Sequence, residues 1–100
     1  MSVNTVYLAG KITGDLDYRE KFAKARKKLE TVGYIVFDPS ILPYPALAYA
    51  AYMRIGFAVL NECEAVCFLP DWTQSDGARC EYVRAQQQGK TIFFYDELVK

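Results

Sequence analysis

One hundred residues make a single domain, residues 1–100, with a core large enough to fold alone. Hydrophobic residues supply 52% and charged residues 24%, which excludes a disordered chain. Twelve basic residues balance twelve acidic ones, so the net charge of zero draws the chain neither to a nucleic acid polymer nor to an anionic membrane.

The chain starts Met1-Ser2-Val3-Asn4 and runs straight into an apolar stretch. It shows no basic start followed by a cleavage site, and no apolar run long enough to span a bilayer. A cytoplasmic location is the expectation. Cys63, Cys67 and Cys80 form no disulfide framework and no familiar zinc spacing, and histidine is absent. The three thiols read as buried and reduced, with no metal and no cofactor. Any acid–base chemistry falls to carboxylates, Tyr, Lys or Cys.

The first strand is Thr5 to Ala9, ending at Gly10. The loop Gly10-Lys11-Ile12-Thr13-Gly14-Asp15 follows. Asp15 or Asp17 caps a helix that runs to about Val32, with Phe22, Ala25, Leu29 and Val32 at helical spacing and Gly33 as its stop. Its basic residues (Arg19, Lys21, Lys24, Arg26, Lys27, Lys28) fall around the non-core face and read as a solvated surface rather than a nucleic-acid stripe.

Tyr34 to Phe37 is a second strand, stopped by Asp38-Pro39, and Pro43 and Pro45 keep the next stretch irregular. From Ala46 to about Cys63 the chain predicts a helix that is apolar nearly all round, which fits burial on two sides. In so small a domain the second side is expected to be another subunit, making a homodimer or higher homo-oligomer through the 46–63 helix. Ala65 to Leu69 is a third strand, Ser75 to about Gln88 a third helix ended by Gly89, and Thr91 to Tyr95 a fourth strand. Strands alternating with helices imply right-handed crossovers and a parallel sheet covered on both faces. The fold class is therefore α/β: a small flavodoxin-like, Rossmann-like three-layer sandwich with four to five parallel strands.

Such sheets bind ligands at the carboxyl edge of the strands. There the run Asp71-Trp72-Thr73-Gln74-Ser75-Asp76-Gly77-Ala78-Arg79-Cys80-Glu81 opens the third helix. Ser75 is a natural N-cap, and the free amides after it suit a phosphate. Gly77 leaves the backbone open to a ligand. Glu81 lies on the same face one turn deeper, its side chain leaning toward the helix start. Phosphate and carboxylate sites thus fall a few ångströms apart, as a nucleotide sugar requires. Read blandly, the same residues are a cap, a helix glycine and a first-turn acid. Asp71 is either a turn acid or a ligand contact, and Trp72 either stacks a base or closes its loop. Gly10, Lys11, Ile12 and Thr13 form no P-loop, yet allow close backbone approach. Tyr7 reads as a strand residue with a polar tip in need of a partner.

Taken together, these segments resemble the nucleoside 2-deoxyribosyltransferase superfamily. They look closest to the small domain of unknown function 4406 of phages and bacteria, and are similar to the 2′-deoxynucleoside 5′-phosphate N-hydrolases. The likeness covers nearly the whole chain. It rests on Val6-Tyr7-Leu8-Ala9-Gly10 with Gly14, on Gly33-Tyr34 to Pro39, on Leu69-Pro70-Asp71-Trp72, and on Ser75 to Glu81 with Ala85 and Gly89. It implies a nucleophilic Glu81 acting on the anomeric carbon, with Tyr7 as the first-strand tyrosine. It implies 5′-phosphate contacts from Ser75, Gly77 and the Gly10–Thr13 loop, and an oligomer whose neighbour helps close the site. One carboxylate then captures an oxocarbenium-like sugar while an acid assists the leaving base.

The chain departs from that pattern at Gly56, where the family carries a helix aspartate, at Glu64, which replaces an aspartate, and at Lys11, where the small family often has proline. Loss of a general acid costs ~100- to 10,000-fold in rate. Two functions are therefore expected in competition: cleavage or transfer at the N-glycosidic bond of a deoxynucleoside or its 5′-phosphate, and non-catalytic nucleotide binding as a sensor or sponge. An oligomeric scaffold with a vestigial site is a third.

Overall fold

The structure is a computed structural model and describes residues 3–99. Four strands, β1 (Thr5–Ala9), β2 (Ile35–Phe37), β3 (Ala65–Phe68) and β4 (Thr91–Phe94), form one parallel sheet in the order β2-β1-β3-β4. Four helices accompany them: α1 (Tyr18–Val32), α2 (Tyr49–Glu62), α3 (Asp76–Gln87) and the single turn α4 (Tyr95–Leu98). The expected α/β sandwich is the observed one, with four strands.

Two apolar layers hold the sandwich together. On one face Val6 and Leu8 of β1 and Ala65 and Cys67 of β3 pack with Phe22, Ala25 and Leu29 of α1. On the other, Tyr7, Ala9, Val66 and Phe68 pack with Leu60 and Cys63 at the end of α2 and Ala85 of α3. The alternation of successive side chains along a strand sends neighbours to opposite layers. The two central strands are buried on both faces, as their unbroken apolar sequences require. Chain order reverses between β1 and β3, so a crevice opens beyond their carboxyl ends.

The structure corrects several expectations. β2 is an edge strand, with Ile35 60% and Phe37 43% exposed, so its apolar sequence does not mark two covered faces. α2 begins at Tyr49, because the segment from Pro43 to Leu47 is instead pinned by Tyr52: its hydroxyl donates to the Pro43 carbonyl and accepts from the amides of Ala46 and Leu47. Tyr95 starts α4 rather than ending β4. Cys80 is exposed, whereas Cys63 and Cys67 are buried and all three thiols are free. The basic face of α1 is not wholly solvated either. Arg26 pairs with the buried Asp38 at 3.0 Å, and Arg19 donates to the Ser40 carbonyl. α1 ends as expected: Gly33 has a φ of 114°, which disfavours a side chain, and its amide donates to the Glu30 carbonyl. No helix among the described residues is long and apolar enough to cross a membrane.

Leu29 is fully buried between α1 and the sheet. Leu29→Ala is expected to destabilise the fold by about 2–5 kcal/mol, read from the urea midpoint at unchanged slope.

Candidate functional site

The crevice beyond β1 and β3 holds one buried polar pair. Tyr7, on β1, donates its phenol to Oε2 of Glu81, on α3, at 2.6 Å. β1 fixes the tyrosine because its neighbours Val6 and Leu8 are locked into the opposite layer. α3 fixes the glutamate because its first turn is capped: the Ser75 hydroxyl accepts from the Ala78 amide at 3.1 Å. Glu81 then sits on the buried face with Ala78 and Ala85.

The second oxygen of Glu81 makes no hydrogen bond among the described residues, yet no buried side-chain oxygen there lacks a partner. Oε1 is therefore the oxygen that reaches the open space, and Glu81 does line a cleft. Burial lifts the Glu81 carboxyl from the ordinary carboxylate range to about 7, with the Tyr7 hydrogen bond pulling the other way. Burial, reinforced by the carboxylate beside it, holds the Tyr7 phenol neutral well above its usual range. Tyr7 is thus a permanent donor and Glu81 a group that changes charge near neutral pH.

The cleft encloses about 690 Å³ including its open mouth. Of the residues singled out from sequence, Tyr7, Gly10, Ile12, Thr13, Ser75, Gly77 and Glu81 line it together. Lys11, Asp71 and Trp72 do not. Asp71 accepts from the Lys11 amide at 3.1 Å and pairs with Lys21, which also reaches Asp15 at 2.5 Å and the Lys11 carbonyl at 2.8 Å. Asp71 therefore ties the first loop to α1. Trp72 stacks on Tyr82 at 4.7 Å between centroids and packs on Phe68, closing the β3–α3 turn. Space above Gly77 is also taken: a Cβ there would lie 3.1 Å from both Met53 Sδ and Tyr49 Oη. Its missing side chain admits α2 rather than leaving bare backbone.

The sequence matches the family described as "Domain of unknown function (DUF4406)" over residues 4–94. The chain belongs to that family. Curated protein sequences give no match.

Sequence reasoning missed much of the cleft of this DUF4406 domain. Tyr18, Tyr44, Tyr49 and Tyr52 rim it, with Leu42 and Met53 beside them. The available signal was the density of tyrosine from 44 to 52, beyond what a helix facing a core needs. Among the described residues that line it Glu81 is the sole carboxylate, and none is lysine or arginine. Asp38 accepts from the Ser40 amide and Arg26 and lines a second cavity behind Tyr7. Glu64 lies away from the cleft, accepting from the amides of Asn4 and Thr5 at the other end of the sheet.

The Glu81 carboxyl binds its proton more tightly in the folded state. Its burial is therefore harmless below about pH 4.5, and costs progressively more as pH rises through about 7. The full cost at pH 8 is about 3 kcal/mol. Glu81→Gln keeps an acceptor for Tyr7 without the charge. It is expected to raise Tm at pH 8 and to lose that advantage by pH 4.5, measured by calorimetry across the range.

Proposed function

We propose that this DUF4406 domain acts on the N-glycosidic bond of a deoxynucleoside or deoxynucleoside 5′-phosphate, with Glu81 as nucleophile. The observation that supports this most is the buried Tyr7–Glu81 pair at the floor of the tyrosine-rimmed cleft. One carboxylate oxygen is held by the phenol while the other faces the cleft. The likeness to nucleoside 2-deoxyribosyltransferases adds to it.

In this reading Glu81 Oε1 attacks the anomeric carbon as the bond to the base breaks. The bonding electrons leave with the base, which takes a proton from water. Water or a second base then releases the sugar from Glu81. The tyrosines offer faces on which a base can stack. A phosphate would meet the Gly77 amide, which the Ser75 cap on Ala78 does not use, and the hydroxyl of Thr13. With no lysine or arginine among the described lining residues, the uncharged deoxynucleoside is the better match.

The second reading is a binding module without turnover. It is favoured by the lack of any carboxylate besides Glu81 among the described lining residues to protonate the departing base. Incubation with the four deoxynucleosides and their 5′-monophosphates, followed by chromatography, separates the two. Free base is expected, rising with pH through about 7 as Glu81 ionises, and falling at least ~100-fold in Glu81→Gln. Saturable binding by calorimetry with no base released would overturn the first reading in favour of the second.

The cleft is also expected to be completed by a second copy. Tyr44, on the rim of the cleft, and Leu47, just before α2, are 41% and 51% exposed. Sedimentation is expected to show a dimer or larger oligomer, and Leu47→Glu to shift it toward monomer.

A further inference from the structure

Gly56 sits in the interior of α2 and is buried. Glycine there is unfavourable for the helix, by about fivefold in equilibrium relative to alanine. Its φ is not positive, so backbone conformation gives no reason for it. The reason lies across the gap: a Cβ on residue 56 would fall 2.8 Å from Tyr7 Oη and 3.2 Å from Glu81 Oε2. The next nearest atom, Tyr7 Cζ, is at an ordinary 3.8 Å. The obstruction is thus the hydrogen-bonded pair itself, and chiefly its hydroxyl. Gly56 and Tyr7 also share the wall of the second cavity, so the α2 backbone is what backs the pair on that side.

We propose that Gly56 is a positioning residue: its missing side chain lets the α2 backbone close over the Tyr7–Glu81 hydrogen bond and hold the phenol on Oε2, leaving Oε1 to the cleft. Gly56 touches neither ligand nor reacting atoms in this role; it acts through Tyr7. The proposal concerns the pair and holds whether the cleft turns over its ligand or only binds it.

The test is a double-mutant cycle of Gly56→Ala and Tyr7→Phe. G56A alone is expected to raise the unfolding equilibrium constant by about tenfold or more, because the methyl must displace the hydroxyl. In the Y7F background the hydroxyl is gone, and G56A is expected to change that constant by less than about threefold, with the helix propensity of alanine offsetting the remaining contact. The second readout is the carboxyl titration of Glu81, followed by carbon-13 NMR on glutamate-labelled protein. G56A is expected to move its midpoint upward, because the methyl pushes the phenol away from Oε2 and the carboxylate loses its donor. Y7F is expected to move it the same way, with no further shift in the double variant. A G56A chain that fails to fold while the double variant folds would equally support the proposal. Equal losses in both backgrounds, failure of both to fold, or a Glu81 midpoint unmoved by G56A would each overturn it.

Discussion

The site depends on one hydrogen bond between residues 74 positions apart, from a central strand to the helix that follows the other central strand. The phenol can reach the carboxylate only because β1 and β3 are neighbours, in register from Val6–Ala65 to Ala9–Phe68. Ser75 then starts α3 so that Glu81 turns inward. The cost of burying an acid is met in part by that one donor, and the rest appears as a carboxyl that titrates near neutrality. The sandwich therefore keeps a group at its centre that works against its own stability above neutral pH. Such strain is common where burial serves a site rather than the core.

Two glycines share the task of bringing α2 close. Gly56 lets it lie over the pair, and Gly77 accepts Met53 and Tyr49 against the start of α3. α2 thus crosses the crevice as a wall, and its Tyr49 and Tyr52 form part of the rim of the cleft. The first loop supplies the opposite side, held by the Lys21 ammonium between Asp15, Asp71 and the Lys11 carbonyl. These groups are about three-quarters buried, so the ion pairs are partly shielded from salt.

Strand and helix order was legible in the sequence because apolar runs alternate with helical spacing, and Gly33 and Ser75 are explicit stop and start signals. The cap, the inward turn of Glu81 and the carboxyl edge all followed from local rules. The role of Asp71 did not, since its partners, Lys21 and the Lys11 amide, lie 50 and 60 positions away. Trp72 was equally opaque: its stacking on Tyr82 depends on how α3 leans over β3. Gly56 and Gly77 were ambiguous for a related reason. A missing side chain shows that something approaches, but only the packed structure shows whether it is ligand or helix. β2 misled because an edge strand can carry apolar residues without covering them.

The exposed edge has its own consequence. β2 is three residues long, and Asp38-Pro39 ends it where the Asp38 side chain turns back to the Ser40 amide. An incoming strand would find too few free backbone groups to form a ladder, so this margin resists the open-ended stacking through which exposed sheets aggregate. Ile35 and Phe37 offer side chains there but hardly any backbone. Any contact made along that margin has to rest on side-chain packing rather than on a backbone ladder.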